Sequence, residues 1–194
     1  MSTITKRRFP RSEAVAVARE LVAVLEPVCS RLVVAGSLRR GAPLVGDVEI
    51  VYVGRKETRQ VDLFNIESVD LAASCVEGLL SRGVLSKRLS KRGTPSWGQQ
   101  NKLAVHVESG IPVDLFATTE ECWFNYLVCR TGPANLNMRI CTLAQRKGWQ
   151  WNPYGPGFSR PGGSEVAAVG SEREVFEFVG LDYLRPRERH TLAR

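Results

Sequence analysis

Histidine is scarce in this chain, and its cysteines never occur in the close pairs that hold metals. Only two histidines are present, and the five cysteines (Cys29, Cys75, Cys122, Cys129, Cys141) are odd in number and dispersed, with no Cys-x-x-Cys spacing. Neither a zinc site nor a disulfide framework follows from such a set, so a reducing cytoplasm is expected, or a host's cytoplasm if the chain is viral. Long apolar runs are lacking too. Nothing approaches the roughly 20 residues of a membrane span, so no membrane role is expected. The basic N-terminal residues Lys6, Arg7 and Arg8 are not followed by the apolar stretch of a secretory signal. Acidic residues are the minority, 20 against 27 Lys and Arg, which leaves a net charge of +7 on 194 residues. Basic clusters fall at Lys6 to Arg11, Arg39-Arg40, Lys87 to Arg92, Arg146-Lys147 and Arg185 to Arg194, with no acidic block to balance them. That distribution points to an anionic partner, nucleic acid first.

What is there is an ordinary globular composition, 43% hydrophobic and 24% charged, long enough for one main domain and a small appended one. Ser12 is expected to cap a helix through Leu25, with Ala14, Val17, Leu21 and Leu25 as its apolar stripe. Leu32 to Ala35 reads as a short buried strand, and Asp47 to Val53 as the next. Gly54 to Gln60 reads as a loop. Ser68 is expected to cap a second helix closed by Gly83. Strands are expected at Val84 to Leu89, Lys102 to Val107 and Pro112 to Ala117, the last two joined by a hairpin at Ser109-Gly110. From Thr119 the pattern turns helical: Thr119 to Arg130, Leu136 to Lys147, and Ser171 to Val179 behind a capping box of Ser171 and Glu174. Pro153 to Gly163 reads as an ordered loop. The fold class is α+β, a mixed sheet with helices over residues 1–118 and a smaller, mostly helical part over 119–194.

The chemistry concentrates at Gly36-Ser37-Leu38-Arg39-Arg40-Gly41, followed by Asp47-Val48-Glu49. Gly36 supplies backbone freedom, Ser37 a hydroxyl and an N–H, and Arg40 a charge-assisted donor, together a turn that can hold phosphate. Asp47 and Glu49 lie at i and i+2 of a strand and so share a face. Carboxylates beside a phosphate turn are what Mg²⁺-dependent phosphoryl transfer needs, with a third carboxylate to reach the second ion. Two identical tetrapeptides offer one, Val61-Asp62-Leu63-Phe64 and Val113-Asp114-Leu115-Phe116. Only the second sits in a strand reached by a hairpin, which selects Asp114. Its bland alternative is a strand-edge salt bridge.

Gly-Ser-x-Arg-Arg-Gly, then Gly46-Asp47-x-Glu49, then Pro112 to Phe116, resembles the catalytic palm of the family X DNA polymerases, the DNA polymerase beta-like nucleotidyltransferases. Thr131-Gly132, Asn135, Asn137-Met138-Arg139, Lys147-Gly148, Asn152-x-Tyr154-Gly155 and the ending Tyr183-Leu184-Arg185-Pro186 are similar to that family's C-terminal nucleotide-binding subdomain. The resemblance runs in order from Arg8 to Arg189. It implies that Asp47, Glu49 and Asp114 would hold two Mg²⁺ ions, with Mn²⁺ as a substitute. It implies further that Gly36, Ser37 and Arg40 would bind the triphosphate, that Gly132 and Asn135 would line the sugar and base, and that Arg139 would reach the template's minor groove. Ser90 to Thr94 resembles the primer-template contact, which gives Lys91, Arg92 and Thr94 DNA-binding roles. Trp97 reads either as a stacking platform or as a hydrophobic anchor for its loop.

The chain departs from the family pattern in four ways. Glu49 stands where Asp is usual, Cys129-Arg130 replaces the Tyr-Phe pair before Thr-Gly, and the segment from Gly132 to Arg139 is shorter. No N-terminal helix-hairpin-helix or lyase domain is expected. The expected function is a minimal, monomeric gap-filling DNA polymerase that takes dNTPs and a DNA primer-template. The alternatives are template-independent nucleotidyl transfer to DNA or RNA ends or another acceptor, and a non-catalytic nucleic-acid-binding module.

Overall fold

A computed structural model describes residues 7–60, 65–89, 93–163 and 165–193. In chain order the elements are β1 (Phe9–Pro10), α1 (Arg11–Leu25), β2 (Cys29–Val34), α2 (Gly36–Arg39), β3 (Leu44–Val45), β4 (Val48–Gly54), β5 (Lys56–Gln60), β6 (Ile66–Asp70), α3 (Leu71–Ser81), β7 (Leu85–Lys87), β8 (Asn101–His106) and β9 (Pro112–Ala117). Then come α4 (Trp123–Thr131), α5 (Ala134–Arg146), β10 (Gln150–Trp151), β11 (Gly157–Ser159), β12 (Val166–Ala168) and α6 (Glu172–Val179), and a 3-10 helix over Pro186–Ala193. The chain forms two compact units, Met1–Val34 with Leu44–Ala117, and Ala35–Pro43 with Thr118–Arg194. The fold is α+β, as the sequence indicates.

The first unit is built on a five-stranded mixed sheet in the order β2-β4-β9-β8-β7, with β4 and β9 parallel and the other pairs antiparallel. Strand alternation gives β4 and β9 a fully apolar row: Val48, Ile50, Tyr52, Val113 and Leu115 are all at most 1% exposed. Helices α1 and α3 pack against β4. In α1 the expected stripe is the buried one, Ala14, Val17, Leu21 and Leu25, joined by Ala18. The helix begins one residue earlier than its expected cap: Pro10 occupies the N-cap, and no side chain caps the turn, Ser12 included. Proline suits this place, because the first helical N–H groups have no partner within the helix.

Two other expectations are corrected. Lys56–Gln60 is no loop but a strand, paired antiparallel with Ile66–Asp70 from Lys56↔Asp70 to Gln60↔Ile66. Ser68 lies within that second strand. The cap of α3 is Asp70, whose Oδ1 accepts the Ala73 N–H at 2.9 Å. Gly54 is required opposite it: a Cβ there would stand 2.5 Å from the same Oδ1.

The second unit is helical with a small three-stranded antiparallel sheet, β10-β11-β12, where a loop was expected around Gly157. Its core gathers Val128, Leu136, Ile140, Phe158, Val175 and Phe176. Asn125, wholly buried, donates through Nδ2 to the carbonyls of Asn152, Gly155 and Gly157 and accepts the Trp151 indole N–H, fixing the Pro- and Gly-rich loop. The capping box of α6 forms in a shifted version. Ser171 Oγ accepts the Glu174 N–H at 3.2 Å, and Glu174 reaches back to the Gly170 N–H at 2.7 Å.

Candidate active site

In the first unit, the parallel register sets Glu49 directly opposite Asp114. Residues opposite each other in a ladder present side chains to the same face, and Asp47 immediately precedes β4, two residues before Glu49. All three are half-buried. The row continues across the sheet: Asp114 is opposite Leu103 of β8, and the Arg88 N–H donates to the Leu103 carbonyl at 2.9 Å. Arg88 thus reaches over Leu103, and its Nη2 lies 2.8 Å from Asp114 Oδ1, with the two side chains 28% and 14% exposed. The salt bridge weighed against Asp114 as a ligand is present, and it sits on the carboxylate face. Among the described residues, no three His, Cys, Asp or Glu side chains are gathered as a ready metal cluster. Asp62 lies outside the described residues.

In the second unit, the Gly-Ser segment is one turn of helix, α2, and not an open turn. Gly36 takes φ 60° as the chain leaves β2, a conformation that favours glycine. Ser37 is half-buried as the second residue of α2, and its carbonyl accepts the Ala42 N–H at 3.0 Å. Arg40 donates from Nη1 to the carbonyl of Thr131, and Arg39 Nη1 donates to Thr131 Oγ1 at 2.7 Å. The segment is therefore tied to the C-terminal end of α4.

Gly132 follows there, with φ 62° and a cis bond to Pro133. A Cβ on Gly132 would lie 3.3 Å from Arg40 Nη1, so this glycine admits the arginine. Asn135 and Arg139 are exposed on α5, whereas the Asn137 amide is turned back onto the Cys129 carbonyl at 2.8 Å. Arg130 is not a loose replacement for an aromatic side chain. Its Nη2 donates to the phenols of Tyr126 (3.0 Å) and Tyr154 (3.1 Å), and its guanidinium lies 4.9 Å from the Tyr126 ring centre. Burial pushes the Tyr126 phenol up, and the adjacent Arg130 charge partly offsets this.

Of the expected DNA contacts, Lys91 and Arg92 lie outside the described residues, while Thr94 is exposed at the start of a loop running to Asn101. That loop is anchored to the first unit. Lys102, only 6% exposed, donates through Nζ to the Gly98 carbonyl at 3.1 Å. The Trp97 indole donates to Glu77 Oε1 at 2.8 Å, with the Lys87 ammonium 5.0 Å from its ring centre. Trp97 is an anchor.

A family model described as DNA polymerase beta palm matches residues 8–106, and one described as DNA polymerase beta thumb matches residues 126–190. The palm match alone takes in more than half of the chain. This chain belongs to the DNA polymerase beta family. The family X palm match contains Ser37, Arg40, Asp47 and Glu49 and ends before Asp114, so the third carboxylate rests on the β4–β9 register. The thumb match contains Gly132, Asn135 and Arg139, and also Glu172 and Arg189, two residues the sequence had not singled out. Family X domains generally use divalent metals, and the donors present fit such ions. Carboxylates such as Asp47, Glu49 and Asp114 are hard-oxygen donors of the kind that suit Mg²⁺ or Mn²⁺. No helix among the described residues is long and apolar enough to cross a membrane.

Proposed function

We propose that this family X-like nucleotidyltransferase is a DNA polymerase of the gap-filling, repair type, adding dNMP from a dNTP to a primer 3′-hydroxyl. The observation that carries the reading is the cross-strand pair, Glu49 opposite Asp114, with Asp47 immediately before β4. Asp47, Glu49 and Asp114 would hold two Mg²⁺ ions, which when bound stabilise the attacking and leaving oxygens of an in-line displacement at the α-phosphate. Ser37 and Arg40, with the backbone freedom of Gly36, take the β- and γ-phosphates. Gly132 and Asn135 line the nucleotide, Arg139 reads the minor groove on the template side, and Lys91, Arg92 and Thr94 grip the primer-template backbone. Residues 1–118 act as the palm and 119–194 as the nucleotide-binding subdomain of a cytoplasmic monomer.

The test is extension of a primer across a single-nucleotide gap with Mg²⁺ and each dNTP in turn. Incorporation that follows the templating base supports the reading, and no incorporation of any dNTP rejects it. A second reading has one observation behind it. Arg130, fastened by two tyrosines, stands where an aromatic pair would pack on the sugar. That change suits a template-independent nucleotidyltransferase with another acceptor, such as DNA or RNA ends. Addition that ignores the templating base, or labelling of RNA in preference to DNA, identifies it.

A further inference from the structure

The loop that leads into β8 in the first unit is held still by a buried charge. Lys102 donates through Nζ to the carbonyls of Gly98 at 3.1 Å and Gln99 at 3.4 Å, and its side chain is otherwise enclosed. A buried ammonium is costly unless hydrogen-bonded, and both of these partners belong to the loop. The backbone is fastened as well. The Gly98 N–H donates to the Asn101 carbonyl, the Leu103 N–H to the Ser96 carbonyl and the Ala117 N–H to the Gln100 carbonyl, each at 2.9 Å. With the Trp97 indole on Glu77, the loop is tied to β8, β9 and α3. Surface loops are commonly the mobile part of a fold, whereas a loop fixed in this way is preorganised, which lowers the entropic cost of binding. What it holds in place is uncharged. Ser96, Gly98, Gln99, Gln100 and Asn101 line an open cavity of about 380 Å³, and Gln99 and Gln100 are exposed. None of these lining residues offers a cation to a phosphate. A carboxamide presents an N–H donor and a C=O acceptor side by side, a pairing that complements the edge of a nucleobase. The volume is at the small end for a ligand site and takes one base, not a duplex. Strand register places the cavity: Asn101 is opposite Phe116 and Leu103 is opposite Asp114, so by alternation Asn101 shares the face that carries Asp114.

We propose that this cavity is a binding site for one unpaired nucleobase of the strand that accepts the nucleotide, read by the amides of Gln99 and Gln100. This rests on a nucleic-acid acceptor, which both readings of the function allow. Thr94, at the start of the same loop, then meets the strand's phosphates while the glutamines meet a base, the usual division between contacts that position and contacts that specify. Lys102 serves the site from behind, by fixing the two carbonyls that set the course of the loop.

The experiment measures, by fluorescence anisotropy over a range of salt, binding of the full chain to two single-stranded DNA oligomers of equal length. One has an ordinary mixed sequence, and the other has the same phosphates with every base removed. Wild type is compared with a chain carrying both Gln99→Ala and Gln100→Ala, two replacements at exposed loop positions that leave the fold in place. Hydrogen-bonded recognition of a base corresponds to about fivefold or more in affinity. Wild type is therefore expected to prefer the base-bearing strand by at least about fivefold, and the variant to lose that preference while keeping its affinity for the abasic strand. The salt dependence should be the same in both proteins, because no phosphate contact is removed. A variant that keeps the wild-type preference overturns the proposal, and so does one that weakens on both strands equally. Wild-type protein that binds the two strands alike also overturns it, while leaving the nucleic-acid acceptor intact. Wild-type protein that binds neither strand removes that acceptor and this inference with it.

Discussion

Arg88 and Arg130 each fix a guanidinium on a named partner, Asp114 in one case and the Tyr126 and Tyr154 phenols in the other. Arg88 meets Asp114 from across Leu103 and offsets charge on a face that also carries Glu49. Arg130 replaces aromatic surface with a cation fixed by Tyr126 and Tyr154. A pocket that discriminates through packing alone reaches roughly 10–200-fold, and a chain without the aromatic pair is expected to stay in that range between dNTP and rNTP. Steady-state kcat/KM for matched pairs checks it; a preference of several thousandfold, well above the ~200-fold packing range, contradicts it. A further prediction concerns Cys29, whose thiol is pushed up from 9.0 to about 11, chiefly by burial and secondly by the Asp70 charge. The unfolded chain releases that proton near the ordinary value and the folded chain retains it, so the contribution is complete below pH 9.0 and is lost as pH rises to about 11. Thermal midpoints should fall across that window, and Cys29→Ala should flatten the fall. An equal slope in the variant would assign the decline to other groups.

At the scale of elements, the legible parts were those with strong periodicity. The stripe of α1 and the strand Pro112–Ala117 emerge from apolar spacing alone, and the pairing of β8 with β9 from Ser109-Gly110. What was not legible had weak or conflicting local signals. Lys56–Gln60 is a strand with no apolar residue on either face, so alternation had nothing to mark. At α3 two capping residues competed, Ser68 and Asp70, and pairing of β6 with β5 consumed the serine. Asp70→Ala should therefore lower stability by about 1 kcal/mol, the usual worth of an N-cap, whereas Ser68→Ala, at an exposed strand position, should stay within about 0.5 kcal/mol. Urea denaturation of both variants separates them, and a larger loss in Ser68→Ala would contradict the assignment of the cap.

For the whole molecule, residues continuous in sequence fall in two compact units. Asp47 and Glu49 belong to the first, and Ser37 and Arg40, though encoded just before them, to the second. The sequence carries the residue types and their order, which is why the family was readable. It carries no local trace of Glu172 or Arg189, because a glutamate after a capping serine reads as an ordinary helix start, and one arginine within a basic tail reads as surface. Their pairing with Arg39 exists only in the folded unit. The central claim remains the carboxylate row, and Asp114 is its most exacting member, since it comes from a distant strand and lies beyond the palm match. The decisive measurement is the single-turnover rate of gap filling in Mg²⁺ by wild type and Asp114→Asn, with melting curves establishing that both are folded. Removing a metal-holding carboxylate forfeits several kcal/mol of transition-state stabilisation, which at about 1.4 kcal/mol per tenfold predicts a loss of about a thousandfold. A folded Asp114→Asn protein that fills the gap at the wild-type rate would contradict the account.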